Sequence, residues 1–247
     1  MKTGNSSTAS SGKDILLEGI ENLRQKDSCF ESVIASRSEE IIFLLDRYIK
    51  EIELFNSAYG LVGVNNTEEL VIKHILDSLA PLGIISHLLN GLCAANGTGK
   101  TPQIADAGSG SGLPGIPLAI AMPNCDFTLI ERMGRRASFL WNAKAALGLS
   151  NITVEEGELE KTAPGRFTLI IFRAFKPLEP KLLKSLFAAC EKGGVIAAYK
   201  GRREKIDLEI SSLTNSGKPD ALASSIKIIP YEVPFLDEER HLVVIGG

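Results

Sequence analysis

A short apolar run, Ile104-Ala105-Asp106-Ala107, leads directly into Gly108-Ser109-Gly110-Ser111-Gly112-Leu113-Pro114-Gly115. A buried strand that ends in a glycine loop and is followed by a small-residue helix near 115–121 restricts the fold sharply. It is the opening unit of an α/β sheet whose ligands bind beyond the carboxyl ends of the strands. Glycines let the chain turn tightly and let a ligand approach the bare backbone. Gly110, Gly112 and Gly115 also spell the GxGxxG dinucleotide pattern, which alone is weak evidence. Asp106 at the strand end would repel a diphosphate, and the loop starts early, as D-x-G-x-G-x-G. A carboxylate beside open backbone suits an ammonium-bearing ligand, such as the methionine part of S-adenosylmethionine. Glu131 ends the next strand 23 residues after Gly108, close to the offset of the acid that holds ribose hydroxyls in nucleotide sites. Strand end, loop and later acid together predict a nucleoside-cofactor site.

The rest of the chain agrees with this unit. Strands are predicted at 104–107, 127–131, 152–154, 167–172, 195–199, 226–233 and 241–245. Helices are predicted near 115–121, 134–147, 180–190 and 204–213, with Gly148 stopping the second. Such alternation implies a mainly parallel sheet covered on both faces. Ahead of it the pattern is helical. From Ser38, Ile41, Leu44, Leu45, Tyr48, Ile52 and Phe55 fall on one face, and Gly60 and Gly63 end the run. Asn66 and Thr67 are candidate caps for a helix carrying Leu70, Val71, His74, Ile75 and Leu79, limited by Pro81. The turn-rich stretch NGLCAANGTGKTP (90–102) reads as a boundary. The predicted organisation is a disordered Ser/Thr/Gly-rich tail at 1–30, a helical extension at 31–101 and the α/β domain at 102–247.

Composition narrows the function classes. With 27 Lys/Arg against 30 Asp/Glu, and 44% hydrophobic residues, the chain is neither disordered nor fibrous. No uninterrupted apolar run approaches the ~20 residues of a membrane helix. Cys29, Cys93, Cys125 and Cys190 have no CxxC spacing, and His74, His87 and His241 have no ligand spacing. No metal site and no secretion are therefore expected, and scattered thiols fit a reducing cytoplasm. Residues 101–205 hold 15 Lys/Arg and 10 Asp/Glu; the remainder holds 12 and 20. Arg132, Arg135 and Arg136 form one basic cluster and Lys200, Arg202, Arg203 and Lys205 another. Either suits a polyanion, although clusters of this size also occur on solvated surfaces.

With these residues identified, the chain resembles the RsmG (GidB) methyltransferases from about Ile41 to Ile245. The matching blocks are HILDSL (74–79), DAGSGSGLPGI (106–116), TLIERMGRRASFL (128–140), Arg173-Ala174-Phe175, Lys200-Gly201 and LDEERHLVVI (236–245). The resemblance implies a Rossmann-like class I fold with a seven-stranded sheet. It also implies S-adenosylmethionine as methyl donor, S-adenosylhomocysteine as product, and N7 of a guanine in the 530 loop of bacterial 16S rRNA as target. Residue by residue, Gly108 and Leu113 match the cofactor loop, and Leu159 and Glu160 the pair lying against adenine. Arg173 matches an arginine that contacts the cofactor. Lys200, Arg135 and Arg136 match basic positions around the RNA-binding face. Asp106, Gly110 and Glu131 join the cofactor set, and Arg202 and Arg203 the RNA set, from the residue pattern itself. Where the family has Trp-Asn followed by Asn-Leu-Thr, this chain has Phe55-Asn56 and Gly60-Leu61-Val62. Where it has a basic residue before the adenine pair, this chain has Glu158.

The N7 of guanine carries a lone pair on its Hoogsteen edge. Attack there needs no general base, so the lack of a catalytic dyad leaves no gap. Arg173, Lys200 and His74 are candidates for positioning the base, with Phe175 a candidate stacking platform. A lone histidine on an apolar helical face is more often a hydrogen-bonded packing residue than a site group. Two alternatives stay open: a methyltransferase acting on protein or a small molecule, and a non-catalytic RNA-binding module. The expected partner is 16S rRNA or the small ribosomal subunit, with no membrane or DNA partner. A monomer is the favoured state.

Overall fold

Alternate residues along the central strands separate into two apolar clusters, because successive side chains of a strand point to opposite faces. Along one strand Leu169 and Ile171 join the first cluster, and Ile170 and Phe172 the second; along another Ala197 and Tyr199 separate in the same way from Ile196 and Ala198. A sheet apolar on both faces needs helices on both. The computed structural model describes residues 12–96, 99–174, 176–214 and 225–246. Its strands are β1 (Gln103–Ala107), β2 (Asp126–Glu131), β3 (Ile152–Glu156), β4 (Phe167–Arg173), β5 (Cys190–Lys200), β6 (Ile226–Tyr231) and β7 (Arg240–Gly246). They form one seven-stranded sheet in the order β3-β2-β1-β4-β5-β7-β6, with β7 antiparallel to both its neighbours and the other pairs parallel. The mainly parallel sheet is the one expected from the strand–helix alternation, and its seven strands agree with what the resemblance implies.

The helices are α1 (Gly12–Lys26), α2 (Ser28–Ile34), α3 (Ser38–Tyr59), α4 (Thr67–Leu70), α5 (Asp77–Leu79), α6 (Leu82–Asn96), α7 (Gly115–Ala121), α8 (Gly134–Leu147), α9 (Pro180–Ala189) and α10 (Arg203–Thr214). α1 to α8 share the first cluster; α9 and α10 cover the opposite face. α3 buries Ile41, Leu44, Leu45, Tyr48, Ile49 and Ile52. Gly148 closes α8 in the left-handed conformation at φ +68°. The Asn66 carboxamide accepts the Glu69 N–H at 2.8 Å and caps α4. Asn56 accepts the Leu61 and Val62 N–H groups, both at 2.9 Å, and so anchors the loop where the chain departs from the family pattern. Phe55 beside it stacks on Tyr59 and meets Phe139 edge-on.

Three expectations are corrected. The segment read as a disordered tail at 1–30 is helical from Gly12; residues 1–11 lie outside the described residues. Ile15, Leu16, Gly19, Ile20 and Leu23 make a buried stripe, which the preceding Ser/Thr run disguises. Asp27 caps α2 by accepting the Cys29 and Phe30 N–H groups. The stretch read as a boundary at 90–102 is helical through Asn96. Finally, the helical stretch Thr67–Ala95 is long and apolar enough to cross a membrane by length and composition. Its Leu70, Val71, Ile75, Leu76, Leu79, Leu82, Ile85 and Leu89 are instead buried in the protein's own core.

Between α4 and α5 the residues Val71–Leu76 form a π-helical turn. α1 approaches it closely: a Cβ on Gly19 would lie 2.4 Å from Leu76 Cδ1. The first helix is thus part of the core, and Leu16, with no exposed surface, is at its centre. Leu16→Ala is expected to destabilise the fold by about 2–5 kcal/mol in urea unfolding, the usual range for a fully buried leucine. A disordered tail would give no change.

Candidate functional site

The glycine loop is stitched to the sheet by its own backbone. The Gly108 and Ser109 N–H groups both donate to the Ile130 carbonyl, at 2.9 and 3.1 Å, and the Ser109 hydroxyl donates to the Asp106 carbonyl at 2.8 Å. From α3, the buried Tyr48 hydroxyl donates to the Ser111 carbonyl. Two buried acids complete the support. Glu131 accepts the Gly110 N–H through Oε2 at 2.9 Å and the Met133 N–H through Oε1 at 2.8 Å. Asp106 accepts the Gly115 N–H through Oδ2 at 3.0 Å. A Cβ on Gly115 would lie 2.6 Å from that oxygen, so the close approach depends on glycine. Asp106 Oδ1 is sealed and has no partner among the described residues. Burial pushes the Asp106 carboxyl up to about 7 against the pull of the Gly115 N–H and of Arg173.

Beyond the ends of β1 and β2 lies a pocket of about 270 Å³. Gly108, Ile130, Glu131, Met133, Leu159 and Glu160 line it, with Arg132, Arg136, Glu158, Ala174 and Lys176 around them. Its chemistry fits a nucleoside. Ile130, Met133 and Leu159 offer apolar walls to a flat base. Each Glu131 oxygen retains a second lone pair for a sugar hydroxyl after accepting its backbone N–H. The Lys176 ammonium, 2.9 Å from Glu160, holds that carboxyl below the usual carboxylate range. The orphaned Asp106 Oδ1 beneath the loop suits the ammonium end of the same ligand.

The cofactor residues read from the sequence therefore divide. Gly108, Glu131, Leu159 and Glu160 line the pocket. Gly110 is coupled to it through Glu131. Asp106 and Leu113 lie beneath the loop, 1% and 5% exposed. Arg173 faces a second cavity of about 490 Å³, lined by Lys73, His74, Asp77, Arg173, Ala174, Tyr199, Lys200, Gly201, Tyr231 and Arg240. Ala174, at φ +51°, lines both cavities and is their junction. A residue with a side chain in that conformation is uncommon and marks a constrained site. Phe175 lies outside the described residues.

The second cavity is organised by Asp77, 4% exposed. Its Oδ2 accepts from Arg173 Nη1 at 3.0 Å and its Oδ1 from the Tyr231 hydroxyl at 3.1 Å, with Arg240 Nε 3.3 Å away. The Tyr199 hydroxyl donates to the Ser78 carbonyl, and its ring meets Tyr231 edge-on. Burial holds both phenols well above their ordinary range. In the sequence Asp77 and Arg240 stand out only as members of the HILDSL and LDEERHLVVI blocks, and Tyr199 and Tyr231 carry no site signal at all. Their partners are far apart in the chain, and no local spacing announces them.

The two basic clusters differ. Arg132 and Arg135 are exposed and Arg136 half-buried, and none has an ion-pair partner among the described residues. Lys200 Nζ sits 2.6 Å from Glu209, and Arg203 pairs with Asp207 at 2.9 Å. Arg202 is exposed, and it lines a cavity shared with Glu204, Glu209, Asp237, Glu238 and Glu239. No metal-ligating cluster occurs among the described residues.

Residues 41–243 match the family model described as rRNA small subunit methyltransferase G (GidB). The chain is 37% identical over 235 residues to ribosomal RNA small subunit methyltransferase G of Treponema pallidum (strain Nichols), covering 94% of this chain and 92% of that protein. It is 34% identical to the protein of that name from Treponema denticola, covering 94% and 93%. The corresponding protein of Nitrosococcus oceani is 34% identical, covering 90% and 93%. Among solved structures, a SAM dependent methyltransferase from Aquifex aeolicus superposes with a TM-score of 0.45 at 16% identity, covering 65% of this chain and 88% of that one.

Two tests address the loop. A Cβ on Gly110 would meet nothing nearer than Arg136 Nη1 and the Gly108 carbonyl at 3.9 Å, so its φ of +59° is what opposes a side chain. Gly110→Val is expected to fold with about 1–2 kcal/mol less stability and to lose nucleoside binding in calorimetry; undiminished affinity would contradict the cradle. The raised Asp106 carboxyl contributes stability that is complete below about pH 4 and is lost as pH rises through about 7. The melting temperature of wild type minus that of Asp106→Asn should therefore fall across pH 4–7 and level off above it. A constant difference would show that the carboxyl does not titrate there.

Proposed function

This chain belongs to the rRNA small subunit methyltransferase G (GidB) family, and we propose that the methyl group it transfers from S-adenosylmethionine to 16S rRNA goes to N7 of an unpaired guanine in the 530 loop. The observation that supports this target is the composition of the second cavity beside the nucleoside pocket. It presents donors and cations but no free base. Asp77 already accepts from Arg173 and Tyr231 and lies within 3.3 Å of Arg240. Burial and Arg173 hold the His74 imidazolium down to about 4, so the ring is a poor proton acceptor, and its Nδ1 lone pair already faces Arg173 Nη2 at 3.0 Å. A nucleophile that first had to shed a proton would find no acceptor there, whereas N7 needs none.

The cofactor supplies an electrophilic sulfonium methyl. On this reading Glu131 holds the ribose hydroxyls, Leu159 packs on the adenine, and Glu160 accepts from its amino group. Gly108, Gly110 and Leu113 keep the loop in the shape that admits the methionine part, and Asp106, sealed beneath it, acts on the ammonium by its charge and not by contact. Arg173 acts from the acceptor side, keeping His74 and Asp77 in place. Holding N7 and the methyl in line is the main catalytic contribution of such a site, up to ~7–11 kcal/mol for well-oriented reactants. Arg135 and Arg136 take up phosphates, with Arg132 beside them. Arg202 and Arg203 extend the face, and Lys200 can contribute only in competition with Glu209. The free thiols at Cys29, Cys93, Cys125 and Cys190 fit a cytoplasmic protein, and we propose that it acts as a monomer.

Small-subunit rRNA from a strain lacking the modification, incubated with enzyme and labelled donor, should yield a single N7-methylguanine in the 530 loop by mass spectrometry. A methyl elsewhere, or none from cofactor-loaded protein, would overturn the target. Arg135→Ala should lower the slope of log affinity against log salt by about 0.7–0.9, one phosphate contact, while Lys200→Ala should change it less. The reverse order would move the RNA face to β5.

A further inference from the structure

His74 sits in the π-helical turn Val71–Leu76, three residues before Asp77, and one guanidinium reaches both side chains. Arg173 bridges them: Nη1 donates to Asp77 Oδ2 at 3.0 Å and Nη2 lies 3.0 Å from His74 Nδ1. A guanidinium has only donors and keeps its charge. His74 Nδ1 must therefore accept, which places the ring proton on Nε2. The groups facing the ring leave it neutral: burial, Arg173, Lys73 and Arg240 all disfavour the imidazolium, and only Glu69 opposes them. His74 Nε2 has no partner among the described residues, yet it is not sealed, since Asp106 Oδ1 is the one sealed orphan atom among them. His74 lines the acceptor cavity. The result is a single N–H donor, fixed in tautomer, at the edge of the cavity that adjoins the nucleoside pocket.

Guanine and adenine both expose N7 in the major-groove edge. Guanine has the O6 acceptor beside it, and adenine has the N6 amino donor. An enzyme that uses the N7 lone pair as nucleophile cannot also hydrogen-bond it, so O6 is the neighbouring atom left for recognition. The usual bidentate arginine contact to O6 and N7 would occupy that lone pair, and Arg173 is already committed to Asp77 and His74. A lone donor avoids the conflict. We propose that His74 Nε2–H donates to O6 of the target guanine and is the group that selects guanine over adenine, with Arg173 and Asp77 as positioning residues that hold its ring. The inference rests on the N7 reading above and adds the means of base selection to it.

The test compares methyl transfer to unmodified small-subunit rRNA carrying either the natural guanine or adenine at the target. The ratio of kcat/KM values for the two RNAs is taken for wild type, His74→Gln and His74→Asn, so that any effect of the base change on RNA folding cancels between enzymes. A carboxamide can turn either its NH2 or its carbonyl to the base. Both variants should therefore narrow the guanine preference by roughly tenfold or more, the scale of one good base contact, with donor affinity in calorimetry unchanged. An unaltered ratio, with the methyl still on N7, overturns the role of His74 alone. A wild-type methyl on another atom overturns the N7 reading, and this inference with it. Nitrogen NMR of the free wild-type protein supplies a readout independent of any variant's folding. The His74 ring should carry its proton on Nε2 from pH 5 to 8, and a proton on Nδ1 would overturn the proposal.

Discussion

Two buried carboxylates shape the loop on which the nucleoside pocket depends. Asp106 and Glu131 end neighbouring parallel strands and turn their oxygens toward backbone N–H groups of the turns that follow. Each is almost wholly removed from water. Burying a carboxylate is costly unless its oxygens find donors. Glu131 finds donors for both oxygens, whereas Asp106 satisfies only one. That asymmetry divides the labour between them. Glu131 is a settled acceptor with lone pairs to spare at the pocket wall. Asp106 carries an unanswered oxygen beneath the loop, which burial has pushed toward protonation.

A third buried acid, Asp77, joins what the strand ends cannot join by themselves. It comes from the helical layer and meets Arg173 at the end of β4, Tyr231 at the end of β6 and Arg240 at the start of β7. Removing one partner from such a node would leave charge unpaired in a low-dielectric setting. The N-terminal helices are thus a wall of the acceptor cavity as well as cover for the sheet. The π-helical turn fits this role, since i→i+5 turns recur where a helix must present side chains to a site.

The parts of the molecule that were legible in the sequence are those whose cause is local. The alternation of strands and helices, the turn at Gly108–Gly115, the acid at Glu131, the cap at Asn66 and the stop at Gly148 each follow from a few adjacent residues. What was hidden depends on distance. Arg173 and Asp77 stand 96 positions apart, and nothing near either one announces the other. Lys200 reads as a free cation until α10 brings Glu209 to it. The first helix was masked by its own context, because a Ser/Thr/Gly run precedes a stripe that only Leu76 and its neighbours make apolar on both sides. The glycine loop was readable for the same reason; of the second cavity's lining, His74, Arg173 and Lys200 were named from the sequence, but not the Asp77 node that joins them.

The two cavities draw on different lengths of chain. Every residue lining the nucleoside pocket lies between Gly108 and Lys176, whereas the acceptor cavity needs Lys73 at one end and Arg240 at the other. During synthesis on the ribosome, all the material for the first is present while the last two strands are still to be made. The second can close only when β7 inserts between β5 and β6. A nascent or C-terminally clipped chain therefore lacks one wall of the second cavity, while every residue that lines the first is already in place along it.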